Sequence, residues 1–478
     1  MKRPCASERR PRHSTLQYSS IPCSLRSFAA HPSIRDHLPF PFTIHHQPFT
    51  INHSFFLITE SHGLERSAEP VAVTASFYAN ELGDPAALVL LDEDDEPVNT
   101  QISDIVRSPS TGSRTRESIH CRIHFLADVP AHGRKKYRLE SGRNKKEPEP
   151  EETNGTPEGP SPDIATRGAP LTEGLYVQGE GLSLNLRNRY LSVSLDPATG
   201  QIFHFRNELA GVTLDSPRTE NWDPDYFDPN RGWAKPFDWH AQPKVTFERG
   251  PIFFQLYRSG MLREFPEITL HVTYRLYAGA PYLWIRTIVE INEDVPLACL
   301  RSEEFVFKAA HFTHLAWQET GGRIVSHPLK EMLPVNRHGD IVKVAPSTPW
   351  VGFSDPENGH AIATLQLDAT HFNRRGRPVR TRDYSSYLIK AEPINGVYWV
   401  RPLIYWPQHT RRDQLLVATA GSIYESECAY CVAATSQTEN EKEASAALYA
   451  QFDEHLQRLR YPLYAEVEDE QSAAIRKE

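Results

Sequence analysis

The sequence has little methionine and none of the common cofactor-binding motifs. Both facts narrow the classes of function that fit it. Of 478 residues only 3 are Met, whereas 8 are Trp, 19 are Tyr and 22 are Phe. This balance is typical of β-rich proteins and of clefts that stack flat ligands, of which sugars are one kind. The sequence contains no G-x-G-x-x-G, P-loop or G-x-S-x-G motif, so we expect no cofactor.

A long apolar run and a surplus of positive charge are also lacking. No run of 18 apolar residues occurs, so the sequence predicts no membrane-spanning helix. Asp and Glu number 61 against 52 Lys and Arg, which gives a formal net charge of −9. A nucleic-acid-binding surface needs clustered, uncompensated Lys and Arg, so we expect no nucleic-acid partner.

Cysteine is scarce too, with six residues at irregular spacing. Cys428 and Cys431 have the C-x-x-C spacing, but a second pair or a neighbouring His, which would indicate a zinc site, does not accompany them. In a strand their side chains point to opposite faces. We therefore interpret both as buried small apolar residues, and a chain of this size needs no disulfides.

Composition divides the chain into five segments. Residues 1–66 are rich in Arg, His, Ser and Pro and lack an apolar signal-peptide core, so we expect a disordered or leader segment outside the fold. Residues 67–140 predict a small β-sandwich domain. Residues 141–170 are rich in Lys, Glu, Pro and Gly, which favours a flexible linker. Residues 171–437 predict a large β domain, and residues 438–478 a C-terminal helix and tail.

The fold prediction depends on a long series of alternating strands. The clearest hairpin spans residues 188–202, where apolar and polar residues alternate before an Asp-Pro-x-x-Gly turn. Similar segments follow to about residue 435 at hairpin spacing and without intervening helices. The predicted fold class is all-β, a large antiparallel β-sandwich preceded by a small β domain and followed by a C-terminal helix.

Several of these segments resemble motifs of the galactose-mutarotase-like β-sandwich superfamily, found in the C-terminal half of α-mannosidase-type glycosidases and in many polysaccharide lyases. The resembling motifs are Asn188-Arg189-Tyr190-Leu191-Ser192-Val193, Asp196-Pro197-x-x-Gly200-x-Ile202, Arg249-Gly250-Pro251 and Ile268-Thr269-Leu270-His271-Val272-Thr273-Tyr274-Arg275-Leu276-Tyr277. Segments 96–101 and 125–130 resemble the small β domain that precedes such sandwiches. The resemblance implies a mutarotase-like supersandwich over roughly residues 70–435.

The same resemblance implies a carbohydrate ligand but transfers no catalytic residue. An α-mannosidase carries its nucleophilic aspartate and metal ligands on a separate upstream α/β domain, which nothing before residue 70 resembles. Lyases that share the sandwich usually build their site with an additional helical toroid, which this sequence does not predict either. Any active site is therefore expected on the sandwich itself.

The first candidate site segment spans residues 220–240 and contains three Trp, several carboxylates and a final His. Long ordered loops in compact domains tend to be binding loops, and indole faces stack against pyranose rings. The alternative is that the Trp side chains plug the end of the sandwich. The predicted substrate-binding residues of this segment are Trp222, Tyr226, Trp233, Trp239 and His240.

The second segment, residues 311–319, contains two His and one Glu. If the chain is extended, His311 and His314 point to opposite faces, and a third metal ligand at defined spacing is missing. We therefore expect no metal and predict His311 and Glu319 as catalytic candidates, for example as the base and acid of a mutarotase-type pair. A purely structural histidine pair is the alternative.

The third segment, residues 370–384, concentrates five Arg in one connecting loop. Arginine binds carboxylates bidentately, so the loop suits a uronate-bearing glycan, while a His or Tyr supplies the base that β-elimination needs. A solvated basic loop is the alternative. The predicted catalytic residues here are His371 and Tyr384, and the predicted substrate-binding residues are Asn373, Arg374 and Arg377.

The sequence thus predicts a carbohydrate-active protein whose partner is an oligo- or polysaccharide. The first hypothesis is a lyase that cleaves a uronate-containing glycan by β-elimination. A non-catalytic carbohydrate-binding or structural protein and a glycoside hydrolase or sugar epimerase on the same scaffold remain alternatives. The sequence decides neither the oligomeric state nor whether the protein is cytoplasmic or exported.

Overall fold

The structure is a computed structural model, and it describes most of the chain after residue 53. The described ranges are 54–80, 82, 84–108, 117–141, 174–220, 239–263, 265–297, 300–301, 304–308, 310–319, 321–331, 340–343, 348–379, 386–392, 397–405, 416–436 and 440–469. By its contacts the chain divides after Phe40, and all of these residues lie in the second unit, Pro41–Glu478. No helix in these ranges is long and apolar enough to cross a membrane. The predicted linker lies almost entirely outside them.

Strands make up most of the described residues. They are β1 (Ser54–Thr59), β2 (Arg66–Tyr78), β3 (Leu88–Leu91), β4 (Pro97–Val98), β5 (Thr100–Ser108), β6 (Ser118–Val129), β7 (Arg134–Ser141), β8 (Leu175–Glu180), β9 (Ser183–Asn188), β10 (Leu191–Leu195), β11 (Ile202–Asn207), β12 (Val212–Thr213), β13 (Asp215–Glu220), β14 (Lys244–Arg249), β15 (Phe253–Met261), β16 (Ile268–Tyr277), β17 (Tyr282–Ile291), β18 (Val295–Leu297), β19 (Leu300–Arg301), β20 (Glu304–Lys308), β21 (His314–Gln318), β22 (Ile324–Pro328), β23 (Asp340–Lys343), β24 (Trp350–Asp355), β25 (His360–Phe372), β26 (Pro378–Val379), β27 (Ser386–Glu392), β28 (Val397–Tyr405), β29 (Leu416–Ala418), β30 (Ile423–Ala434) and β31 (Tyr464–Asp469). The α-helix α1 (Glu441–Arg460) follows β30, and two single 3-10 turns lie at Pro85–Ala87 and Leu329–Glu331.

The large sandwich, formed by β8–β30, confirms the predicted all-β fold class. Its main sheet has the order β14-β15-β16-β17-β30-β25-β24-β21-β22, with β26 paired to β25, and its strands are antiparallel. One face of this sheet packs on the sheets β12-β11-β10-β9-β8 and β13-β20-β28-β27-β23 around a common hydrophobic core. Within β16, Ile268, Leu270 and Val272 point into that core because strand side chains alternate between faces.

The hairpin of residues 188–202 forms as predicted. The Asp196 carboxylate accepts hydrogen bonds from the amides of Ala198 and Thr199, and the Gly200 amide donates to the Asp196 carbonyl over 2.7 Å. Gly200 has a φ of +71°, a conformation that favours glycine. The cysteine interpretation is also confirmed, since Cys428 and Cys431 are both buried and lie on opposite faces of β30.

The small sandwich consists of β1–β7 and β31. Its two sheets, β31-β1-β7-β3-β4 and β2-β6-β5, enclose a second hydrophobic core. Strand β1 lies within the segment 1–66 that we expected outside the fold, and β31 lies in the predicted tail. Phe56 and Ile58 of β1 are fully buried, so the first boundary of the predicted division was placed too late. The rest of the domain division stays a prediction.

A buried ion cluster, the Arg66 cluster, ties the small sandwich to α1. The Arg66 guanidinium lies 3.5 Å from Glu60, 3.6 Å from Glu69 and 2.5 Å from the Tyr461 carbonyl oxygen. Arg458 of α1 approaches Glu69 to 3.6 Å. Burial raises the pKa of Glu69, although both arginines oppose that rise. The cluster therefore depends on its cations to keep a buried carboxylate charged.

The predicted C-terminal helix is confirmed and packs on the main sheet. Asn440 caps its first turn by accepting from the amides of Lys442 and Glu443. Phe452 lies 5.5 Å from the Trp350 ring, and the Trp350 indole donates to the Asp453 carboxylate over 2.6 Å. The helix thus buries one side against β24 and β25, which keeps it attached to the large sandwich.

Gln101 joins the two sandwiches through hydrogen bonds. Its side-chain oxygen accepts from the amides of Phe253 (3.0 Å) and Ile252 (3.3 Å), and its side-chain nitrogen donates to Glu248 (3.0 Å). We expect Gln101→Ala to lower the free energy of unfolding by about 1–3 kcal/mol, because buried amides lose their acceptor. Urea unfolding measures the change. The exposed Gln178→Ala is the control, and equal effects of the two substitutions would contradict the prediction.

Candidate active site

Of the five substrate-binding residues predicted in segment 220–240, the structure describes Trp239 and His240. Trp222, Tyr226 and Trp233 lie outside the described residues. Trp239 is 6% exposed and packs in the core of the large sandwich, where it forms a β-bridge with Leu262. The structure corrects its predicted role, because a buried indole offers no face for a sugar to stack on. His240 is exposed.

Segment 311–319 lies at the edge of the main sheet. His314, on β21, has its Nε2 atom 3.3 Å from the Glu441 carboxylate of α1. Glu319 follows β21 and pairs with Arg323 across a tight turn. His311 is half-buried near His360, whose pKa is lowered by burial and by the His311 charge, while Asp355 raises it. Among the described residues no group of three or more His, Cys, Asp or Glu forms a metal site.

The described part of segment 370–384, residues 370–379, contains the end of β25, a turn and the short strand β26. His371 stacks on Tyr424 at 4.3 Å, and burial lowers its pKa. The Asn373 side-chain oxygen accepts from the amides of Arg375 (2.9 Å) and Arg377 (3.2 Å), so Asn373 has a structural role in the turn. Arg374 and Arg377 are exposed. Tyr384 lies outside the described residues.

The described parts of the three segments do not meet in one cleft. His311 lies near His360, at the start of β25, whereas His371 lies near its end. At about 3.3 Å per strand residue, His360 and His371 are roughly 35 Å apart along β25. His371 and Glu319 also belong to different strands and turns. The predicted catalytic residues His311 and His371 therefore do not act on the same bond.

The second face of the main sheet, called here the outer face, points away from the core and carries polar side chains. The register aligns Ser259, His271, Ile288, Glu425 and Thr370 in one row across five strands. The next row contains Tyr257, Thr273, Arg286, Glu427 and Asp368. Glu290 lies one row further along β17, opposite Thr269. The small sandwich covers another part of this face, where His124 contacts Phe253.

Tyr257, His271 and Glu290 form a chain of polar contacts across β15, β16 and β17, called here the relay. The Tyr257 hydroxyl lies 2.7 Å from Nδ1 of His271, and Nε2 of His271 lies 3.1 Å from a Glu290 carboxylate oxygen. The neighbouring His271 lowers the pKa of Glu290 against the effect of burial. An ionised Glu290 favours the tautomer protonated at Nε2, which leaves Nδ1 to accept the phenol proton.

Arg286, Glu425 and Glu427 form a second cluster beside the relay. Nε of Arg286 lies 2.6 Å from Glu425 and 3.6 Å from Glu427. Burial raises the pKa of Glu427 to about 8, although Arg286 opposes the rise. The outer face therefore holds an ionised carboxylate, Glu290, and a carboxyl group that favours its protonated form. Environments that move two carboxyl pKa values apart are typical of acid–base sites.

The sequence interpretation missed these residues because they belong to strands. Alternation on β16 already places His271 between Leu270 and Val272, and therefore on the face opposite the core. This alternation identifies His271 as a histidine on the outer face of the sheet. Its neighbours Tyr257 and Glu290 depend on the register of two further strand pairs, which the sequence does not fix.

No family model and no curated protein matches the sequence. Among solved structures, a glycosyl hydrolase family 38 protein from Enterococcus faecalis is similar at 10% identity and a TM-score of 0.48 over 87% of this chain and 47% of its own. An α-mannosidase from Enterococcus faecalis V583 is similar at 11% identity and a TM-score of 0.47, over 87% and 46%. A galactose mutarotase-like protein from Lactobacillus casei ATCC 334 is similar at 12% identity and a TM-score of 0.34, over 54% and 100%.

The chain spans about half the length of the first two of these structures. Because the identities and TM-scores are this low, we draw no function and no site residue from them. The neighbours do include galactose mutarotase-like and α-mannosidase proteins, the groups that the sequence motifs resemble.

Proposed function

We propose that the protein is a carbohydrate-active enzyme that cleaves a sugar C–O bond by general acid–base chemistry on the outer face of its main sheet. The observation that carries the proposal is the relay, with contacts of 2.7 Å and 3.1 Å on either side of His271. Tyr257 and His271 are half-buried and lie on the same face as Arg286 and Glu425. A rigid sheet positions such groups more firmly than a loop does.

The relay has the parts that a proton acceptor needs. His271 takes the Tyr257 proton at Nδ1, and the Glu290 carboxylate at Nε2 stabilises the resulting imidazolium. The Tyr257 oxygen then accepts a proton from a water or from the substrate. Glu290 is suited to this role because its lowered pKa keeps it ionised at neutral pH.

The sugar substrate class is supported by the sequence motifs that resemble mutarotase-like sandwiches. Among sugar substrates, the outer face favours a neutral sugar over a uronate. Lyase chemistry needs a cation to neutralise the uronate carboxylate. On the outer face Arg286 is buried and paired with Glu425 and Glu427, and Arg275 is buried and donates to Gln255. Cleavage of a uronate glycan, the first hypothesis from the sequence, therefore becomes the less favoured reaction.

Incubation with neutral and uronate-containing glycans tests the proposal. Product analysis uses NMR and ultraviolet absorbance. New reducing ends indicate a hydrolase, unsaturated sugars indicate a lyase, and altered stereochemistry indicates an epimerase. We expect turnover of a neutral glycan that Tyr257→Phe reduces and Tyr176→Phe, at an exposed position on β8, does not. Binding without turnover across the panel would select the non-catalytic alternative, and absence of both would exclude a carbohydrate function on the tested glycans.

A further inference from the structure

A cavity of about 760 Å³, called here the edge cavity, lies at the edge of the main sheet formed by β21 and β22. The start of α1 borders it as well. Its described lining consists of apolar residues and of residues that carry polar or charged side chains, namely Phe312, Pro328 and Leu329, and Thr313, His314, Lys330, Glu357 and Glu441. Small-molecule sites have volumes of about 300–1,000 Å³, so the edge cavity has the size of a ligand site.

The apolar part of the lining is held in place by the core of the large sandwich. Phe312 is 7% exposed, and its ring lies 6.1 Å from the Phe353 ring and 5.5 Å from the His360 ring. Leu329 packs against the same hydrophobic core. Pro328, the last residue of β22, comes directly before it. These residues therefore give the cavity a small apolar surface at a fixed position.

The rest of the lining carries charges of both signs. Nδ1 of His314 lies 3.0 Å from the Thr313 hydroxyl oxygen, and Nε2 lies 3.3 Å from the Glu441 carboxylate. Lys330 lies in the 3-10 turn after β22, and Glu357 in the turn between β24 and β25. Within the described part of the chain neither of these two forms an ion pair. The cavity thus offers a ligand both an ammonium donor and a carboxylate acceptor.

A neutral sugar fits this lining better than other classes of ligand do. A phosphate or a uronate would face the carboxylates of Glu357 and Glu441 beside the single ammonium group of Lys330, and like charges held together are costly. An apolar ligand would take these charged groups out of water without a hydrogen-bond partner. A pyranose has a C–H face that packs on apolar side chains and hydroxyl groups that both donate and accept hydrogen bonds.

We propose that the edge cavity binds a neutral mono- or disaccharide unit. The sugar ring packs on Phe312 and Leu329, and its hydroxyl groups bond to Lys330 and Glu357. This inference goes beyond the proposed function, because β21 lies five strand spacings, about 24 Å, from β16, which carries His271. A disaccharide in the cavity does not reach the relay over that distance. The edge cavity is therefore a separate binding site and not part of the active site.

Photo-crosslinking with neutral disaccharides tests the inference. The probes are maltose, cellobiose, lactose and mannobiose, each with a diazirine group at its reducing end, and mass spectrometry identifies the labelled peptides. We expect labelling within residues 312–314 or 328–330 that an excess of the unlabelled disaccharide removes. Lys330→Ala combined with Glu357→Gln should raise the probe concentration for half-maximal labelling of these peptides by at least about tenfold, because hydrogen bonds to charged groups are lost.

Lys308→Ala combined with Glu293→Gln is the matched control, because both residues are exposed and lie outside the described lining of the cavity. This control should be labelled as the wild type is. Absence of labelling at the cavity with every probe, or labelling that the cavity variant leaves unchanged, would overturn the inference. Turnover in the glycan panel is a separate readout. Labelling of the cavity without turnover keeps the inference and removes the proposed function, whereas turnover without that labelling does the opposite.

Discussion

Replacing His271 by alanine is expected to lower kcat on the glycan identified in the panel by about 10²–10⁴-fold. The substitution removes the proton acceptor of Tyr257 and leaves the Glu290 carboxylate without the ring that lies 3.1 Å away. KM is expected to change much less, because the relay acts on the proton and the surrounding side chains remain in place. Steady-state kinetics over a pH series measures both constants.

Two controls separate this effect from misfolding. His204→Ala removes a half-buried histidine from β11, outside the main sheet, and is expected to keep wild-type kinetics. Glu290→Gln keeps the size of its side chain but removes the charge that stabilises the imidazolium, so we expect an intermediate loss of kcat. Wild-type kcat in a folded His271→Ala protein would exclude the relay from the reaction.

Replacing Arg66 by alanine is expected to lower the free energy of unfolding by about 3–5 kcal/mol, the range for breaking a buried ion pair from one side. Arg66 and Glu60 have fully buried side chains, and that of Glu69 is 9% exposed. Without the guanidinium, Arg458 at 3.6 Å is the cation that remains beside Glu69 among the described residues, and the Tyr461 carbonyl loses the Arg66 donor. Chemical denaturation followed by circular dichroism measures the change.

An exposed ion pair provides the comparison. Arg187 is 61% exposed and pairs with Glu208, so Arg187→Ala should cost at most about 1 kcal/mol. The double variant Arg66→Met with Glu69→Leu should recover part of the loss, because it removes the buried charge together with its partner. An effect of Arg66→Ala as small as that of Arg187→Ala would show that the Arg66 cluster contributes little to stability.

The sequence predicts the strands of the large sandwich well because one face of each strand is buried. In β10, Leu191, Val193 and Leu195 alternate with polar residues, and the structure buries all three. Strand β1 was missed for the opposite reason. Its six residues contain a continuous apolar run inside a segment rich in His, Pro and Arg, and what stabilises it is pairing with β7 and β31, far away in the sequence.

The candidate site was less predictable than the fold. Sequence reasoning favoured loops, where clusters such as Arg374 and Arg377 are visible as neighbours in the chain. The relay instead joins Tyr257, His271 and Glu290 from three strands, and a shift of one residue in any register would move one of them to the core face. Because register depends on the packing of the whole sandwich, a single sequence does not determine it.

We expect the pairing of β1 with β31 to delay completion of the small sandwich during folding. Ser54 lies opposite Asp469, so one sheet of the small sandwich contains strands from both ends of the described chain. Closing such a long loop is slow, and contacts between distant segments form late in folding. During synthesis β1 can pair early with β7, whereas β31 follows the large sandwich in the sequence and completes the sheet only afterwards.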